Sequence, residues 1–165
     1  MSTNVSNTIP VDVFRSSLLA TLDEAFISAP NDWSLFTDKG TSLFETLVSI
    51  DAATASRVFS SRASNIAAQV NHIRFYLDVL MNGVKTGFQE KADWEGSWKI
   101  GEVTEEEWQE LVTRLRTTYQ EVRTFAETND NWNANVVGGA FGIAAHTAYH
   151  LGEIRQALAA LQVPE

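Results

Sequence analysis

Residues Ser64–Leu80 read SNIAAQVNHIRFYLDVL. Ile66, Val70, Ile73, Leu77 and Leu80 recur with the 3.6-residue period of a helix, and a second row, Ala68, His72, Phe75 and Val79, runs beside them. Together the rows make one wide face suited to burial. The spacing predicts a helix from Ser64 to about Asn82, started by the serines Ser60, Ser61 and Ser64 and ended by Gly83.

Outward from this helix the pattern stays helical. Towards the N-terminus, Thr8 is placed to cap and Pro10 to open a helix with the stripe Val11, Phe14, Leu18, Leu22 and Ala25, closed by Pro30. Ser42 and Glu45 have the spacing of a capping box before Phe44, Leu47 and Val48, and Asp51 can cap a further turn or two towards Phe59. Beyond Gly83 comes a long connection of about 20 residues with no sustained period, suited to a crossover or a functional loop. Thr104 with Glu107 then starts a helix that keeps its period from Trp108 through Leu111, Val112, Leu115, Tyr119 and Val122 to Ala126. After an asparagine-rich turn, Asn129–Asn135, a last helix is predicted from about Val137 to Leu161, with Pro164 beyond it. Its inward row is Ile143, His146, His150, Ile154, Ala157 and Leu161. No period-two pattern competes. The fold class predicted is all-α: a four-helix bundle with a long crossover between its second and third helices.

The chain has 165 residues, 44% of them apolar, which suits one domain over residues 1–165 with a core from about 11 to 162. With 21 acidic against 12 basic residues the net charge is −9, so the far field repels nucleic acid and anionic lipid, and neither is expected as a partner. The absence of cysteine excludes disulfides, thiolate ligands and a cysteine nucleophile. Met1–Pro10 lacks the basic start and apolar core of a signal peptide, and no apolar run approaches the roughly 20 residues of a membrane span. A soluble cytoplasmic protein is expected.

The chain has three histidines, and His146 and His150 stand four apart on the inward row of the last helix. Side chains at that spacing share a face one turn apart, so both imidazoles can reach one ion. His72 lies on the broad face of the Ser64–Leu80 helix and can face them across a bundle. Three histidines would leave one side of an ion open, as in catalytic zinc sites. The competing reading is three neutral histidines, each hydrogen-bonded in an aromatic core. No Glu-x-x-His precedes any of the three histidines, which argues against a carboxylate-bridged di-iron bundle.

The last helix, GGAFGIAAHTAYHLGEIRQAL over Gly138–Leu158, and SNIAAQVNHIRFYLDVL both resemble the motifs of DinB-like proteins, the DinB/YfiT superfamily of metalloenzymes. DWEGSW, Asp93–Trp98, with the Glu-Glu-Trp start of the next helix, is similar to one branch of that family. The resemblance covers roughly residues 11–162. It implies a bundle of up-down-down-up order, a divalent metal on His72, His146 and His150, and frequently a homodimer. It further implies a metal-dependent transferase that activates a low-molecular-weight thiol towards a small-molecule substrate. A non-catalytic protein binding metal or a small ligand is the alternative. Zinc is the default for three imidazoles, with nickel, iron(II) and manganese open.

Glu153 is the candidate catalytic residue: it borders the same face and can orient a ligand or accept a proton, or else stand as a solvated carboxylate or pair with a basic neighbour. Tyr149 is expected to pack with its hydroxyl on a partner. Trp94 and Trp98 either wall the pocket or anchor the connection to the bundle. Gly138, Gly142, Ala145 and Gly152 are expected to permit close helix approach. Arg155 is read as a surface ion-pairing residue or a contact for an anionic substrate.

Overall fold

The structure is a computed structural model and describes residues 8–28, 34–61, 63–87 and 91–162. Six α-helices and one 3₁₀ turn make up the regular structure of these residues, with no strand among them. The helices are α1 (Val11–Phe26), α2 (Leu43–Leu47), α3 (Ala52–Ser56), α4 (Ile66–Thr86), α5 (Glu105–Thr128) and α6 (Ala134–Gln162); Gly96–Trp98 form the 3₁₀ turn. None is long and apolar enough to cross a membrane.

Side-chain caps decide most of the boundaries. The Thr104–Glu107 box starts α5, with the Thr104 N–H donating to Glu107 at 2.8 Å. The Ser42–Glu45 box starts α2, and Asp51 accepts from the Thr54 N–H at 2.8 Å to start α3. Five expectations shift. α1 has Pro10 at its N-cap and no side-chain cap, so Thr8 does not serve there. α3 stops at Ser56, short of Phe59.

α4 is capped by Asn65 rather than by the serines. An asparagine is two-ended: its Oδ1 accepts from the Ala68 N–H at 2.7 Å while its Nδ2 donates to the Gly101 carbonyl at 2.8 Å, so one residue starts the helix and ties down the long connection. α4 also runs past Gly83, which is buried within it, to Gly87, whose φ of +78° is the left-handed geometry that ends a helix without strain. α6 begins at Ala134, earlier than expected, because the Asn133 side-chain oxygen accepts from the N–H groups of Asn135 and Val136. Pro30 and Pro164 lie outside the described residues.

α4 packs against α5 and α6, and α1 packs against the same two. The core between them holds Leu22, Phe26, Ile73, Leu77, Leu115, Tyr119 and Ile154, all essentially inaccessible. Burial of side chains of this kind contributes about 1.5–3 kcal/mol each. Tyr119 stacks on Phe26 with ring centroids 4.1 Å apart and donates its hydroxyl to Asp23. Trp108 Nε1 donates to the Ile50 carbonyl at 2.7 Å, joining the α2–α3 corner to α5. Glu24 is buried in α1, yet its carboxylate accepts from the N–H groups of Leu35, Phe36 and Thr37. A buried charge demands such partners.

The connection between α4 and α5 is laid along the first half of α4. Asp93 Oδ1 accepts from the Gly96 N–H at 2.9 Å, and a Cβ on Gly96 would force that carboxylate to shift. Asn71 donates to the Ser97 carbonyl at 2.8 Å. The turn thereby delivers Ser97 and Trp98 to His72.

Candidate metal centre

His72 comes from α4 and His146 and His150 from successive turns of α6. Their rings converge: His146 Nε2 lies 3.1 Å from His72 Nε2 and 3.2 Å from His150 Nε2. Two of the opposite ring nitrogens are occupied. The Ser97 hydroxyl donates its hydrogen to the Trp94 carbonyl at 2.7 Å, so at 2.7 Å from His72 Nδ1 it can only accept. His72 therefore carries its proton on Nδ1 and presents a lone pair at Nε2. His150 Nδ1 donates to Glu153 Oε2 at 2.7 Å, which leaves its Nε2 bare in the same way. With both neighbours presenting lone pairs, His146 Nε2 has either one proton to share between two acceptors or none.

Surroundings hold the rings in this geometry. Trp98 stacks on His72 with centroids 3.9 Å apart and planes 19° from parallel. Tyr76 stacks on His146 at 3.8 Å and 10°. Glycine at 142 leaves room for Tyr76 in that second stack: a Cβ there would come within 2.7 Å of the Tyr76 hydroxyl. Burial first, then the nearby His150, lowers His72 to about 4, and burial with both other rings lowers His146 to about 4. Burial also lowers His150, with Glu153 opposing. All three rings are thus neutral at pH 7, the form a metal requires.

The donor set fits a divalent cation. Tetrahedral ligands at the usual zinc–nitrogen distance of about 2.0–2.1 Å stand roughly 3.3–3.4 Å apart, close to the separations seen here. His146 Nδ1 is buried with no hydrogen-bond partner, so the third ring lacks the outer acceptor that its neighbours have. The three histidines can hold a metal ion.

A family model of the DinB superfamily matches residues 35–154. The chain belongs to that superfamily. The matched segment of this DinB-superfamily protein spans all three histidines and Glu153. No curated protein and no solved structure matches the chain.

Other expected residues divide. Glu153 is half-exposed and holds His150, whose Nδ1 lies 2.7 Å from its Oε2. Tyr149 has Glu153 for a neighbour, whose side chain raises its pKa, but the residue is 63% exposed rather than packed. Trp98 forms a wall of the site, and Trp94 lies edge-on to Phe75 with its centroid 6.3 Å from that of His72. Of the small residues, Gly142 alone serves a close approach; a Cβ on Gly138 or Gly152 would meet nothing within 4 Å, and Ala145 is exposed. Arg155 is exposed beside Asp38 and Thr41 at an open depression. Two residues of the site were not anticipated. Tyr76 stands four residues after His72, on the same helical face, and that spacing was there to be read. Ser97 had no such signature, because loop spacing does not report which hydroxyl meets which ring.

Proposed function

We propose that this protein is a divalent-metal-dependent transferase that activates a low-molecular-weight thiol, with His72, His146 and His150 as the metal ligands and zinc as the resident ion. The observation that carries the proposal is the convergence of three neutral imidazoles, two of them fixed with Nε2 lone pairs facing inward. A divalent ion with an open position lowers the pKa of a bound water or thiol and so supplies a nucleophile at neutral pH. The chain supplies the rest. Ser97 and Glu153 set the tautomers, while Trp98 and Tyr76 clamp the ring planes. Glu153, the catalytic candidate of the sequence, acts through His150 as a positioning residue. With no cysteine in the chain, the thiol comes from outside.

The proposal extends to architecture and assembly: an up-down-down-up four-helix bundle with its crossover between α4 and α5, working as a cytoplasmic homodimer. Contact register supports the bundle order. Asn65 before α4 reaches Gly101 before α5, and Asp78 accepts from Thr118 at a similar depth along both helices, so the two run the same way. Tyr76 facing Gly142 and His72 facing His146 support an opposed α6.

Protein purified without a histidine tag is expected to carry about one divalent ion per chain, and a screen of small thiols against electrophiles is expected to show a rate that chelation abolishes. Bound metal with no thiol consumption would instead establish a non-catalytic binding protein. Ser97→Ala removes the acceptor of His72 Nδ1–H while leaving the helices intact. It is expected to weaken zinc about 10–100-fold in competition with a chromophoric chelator, with unchanged far-ultraviolet circular dichroism.

A further inference from the structure

The outward face of α6 is not explained by the fold of one chain. Between Asp130 and Glu153 the sequence has no Asp, Glu, Lys or Arg, although these types make up 20% of the chain. Gly138, Phe141, Ala145, Tyr149 and Gly152 fall on one strip of that segment at helical spacing, and all five are exposed. Phe141 meets Phe14 edge-on and is still 62% accessible. α5 shows how a solvated face is built, with Glu106, Glu110, Arg114 and Glu121 exposed along it. The two glycines are equally unexplained: a Cβ on either would meet nothing within 4 Å, yet glycine inside a helix is destabilising relative to alanine.

The strip is its own complement. Gly138 and Gly152 stand seven residues either side of Ala145, and Phe141 and Tyr149 stand four either side. A twofold axis relating two antiparallel helices inverts the height of each side chain and keeps it on its own flank of the seam. With the crossing at Ala145, Phe141 comes level with the partner's Tyr149, and Gly138 with the partner's Gly152. Four residues exceed one turn slightly, so Phe141 and Tyr149 lean to opposite sides of the Ala145 line, while Ala148 and Gly152 lie on the Phe141 side. The partner's Phe141 therefore descends beside Tyr149, over Ala148 and Gly152. A depression of about 180 Å³ lies there, with Phe36, Ala148, Leu151 and Gly152 among its walls. A cavity of roughly 150 Å³ admits a benzene ring, so this one accepts a phenyl side chain.

We propose that α6 pairs antiparallel with α6 of a second copy, crossing at Ala145 and seating each Phe141 in the Phe36–Ala148–Gly152 depression of the other chain. The inference rests on the homodimer of the proposed reading for the number of copies; the choice of face stands on α6 alone. Area supports a second copy as the occupant. Aromatic side chains offer about 150–250 Å² each, so Phe36, Phe141 and Tyr149, at 46%, 62% and 63% exposure, present about 350 Å² per chain. That is nearly half of the roughly 800 Å² each partner brings to a stable interface, before the glycine and alanine strip between the rings is counted. Charge supports it too. Two chains of net −9 repel, and this is a face on which no charged side chain meets its own copy. Gly152 leaves the depression open, and Tyr149, whose ring lies 4.9 Å from that of His150, brings the interface up to the candidate metal centre.

The test uses the tag-free full chain, for which sedimentation equilibrium is expected to give a dimer at micromolar concentration. Phe141→Glu is expected to weaken association at least about 100-fold, since a symmetric interface counts each substitution twice. Gly152→Leu fills the depression without touching its own chain and is expected to weaken association at least about tenfold. Both variants should keep the wild-type circular dichroism and metal content. Because the chain has no cysteine, introduced thiols report the orientation. Ala145→Cys is expected to form an intermolecular disulfide on mild oxidation, whereas Gly138→Cys, about 20 Å from its own copy, links only after subunit exchange with Gly152→Cys. A monomeric wild type, unchanged association in either variant, failure of Ala145→Cys to link, or self-linkage of Gly138→Cys would overturn the inference. A dimer indifferent to both variants would keep the homodimer and lose this face. Association through α6 in a protein that consumes no thiol would uphold the inference and defeat the transferase reading; thiol turnover by a monomer would do the reverse.

Discussion

His150→Ala is expected to reduce bound metal from about one ion per chain to a trace, with zinc affinity falling about 10²–10³-fold. The magnitude follows from partition. A structural zinc site of four ligands is worth about 10–16 kcal/mol, roughly 3 kcal/mol for each ligand, and 1.4 kcal/mol is a factor of ten. Two contacts go together when His150 is lost: its Nε2 leaves the cluster and Glu153 loses the ring it holds. His150→Gln keeps bulk and polarity but cannot reproduce an imidazole lone pair at that reach, so it should behave like alanine. Glu153→Gln, which retains one acceptor oxygen for His150 Nδ1–H, should cost no more than the 10–100-fold typical of an outer partner. Metal content by mass spectrometry and chelator competition on tag-free protein decides the matter. An unchanged ion content in His150→Ala would mean that the metal, if any, sits elsewhere.

The same geometry shows what could and could not be read from residues alone. Helical periodicity reports which face is buried, and the inward row of α6 predicted from Ile143, His146, His150, Ile154 and Ala157 is buried or half-buried in the structure. Capping boxes report where a helix starts when both members are local, as at Ser42–Glu45 and Thr104–Glu107. The start of α4 departs from the serines: Asn65 caps it locally through Ala68, and its second bond, to Gly101 36 residues away, is invisible to local pattern. The overrun past Gly83 has a similar cause. Glycine inside a helix costs about 1 kcal/mol relative to alanine, and the packing of α4 outweighs that cost until Gly87 supplies a left-handed turn.

At the candidate centre, the i, i+4 pair on α6 was legible from spacing, and His72 from its place on the broad face of α4. What spacing does not contain is ring orientation. The inward Nε2 geometry depends on Ser97, which arrives through the Asp93–Gly96 turn, and on Trp98 stacking. Both come from a segment with no periodicity. Glu153 occupies the intermediate case: its i+3 position relative to His150 made a contact reachable, and the structure turns reach into a 2.7 Å hydrogen bond. The chemistry of the candidate site was therefore readable in its ligand types, while its preorganisation was not.

That preorganisation carries a cost in acid, and the metal-free protein is expected to lose about 2–3 kcal/mol of stability between pH 6.5 and pH 4 from one ring alone. Burial, followed by the neighbouring imidazoles, holds His72 and His146 at about 4 against an ordinary value of 6.5. In the folded state these rings stay neutral through that interval, while in the unfolded chain they take up protons from about 6.5 downwards. The unfolded state thus binds more protons, so stability is complete above pH 6.5, declines as pH falls, and levels off below about 4. Glu24 acts in a separate window. Burial pushes its carboxyl up, but the N–H groups of Leu35, Phe36 and Thr37 with the Thr37 hydroxyl outweigh that and hold it below the ordinary 4.5. Its contribution is present above that value and is lost as pH falls through the lowered one.

Urea midpoints of chelated protein, measured from pH 7.5 to about pH 2.5, resolve the two windows. His146→Phe, an apolar ring of similar size with no titrating nitrogen, should remove that ring's share of the decline from 6.5 to 4.5, leave the share of His72, and leave the lower descent in place. A wild-type profile that is flat between 6.5 and 4.5 would show that the three rings are already hydrated or protonated together. In that case, the cluster would not be the dry, neutral ligand set on which metal capture depends.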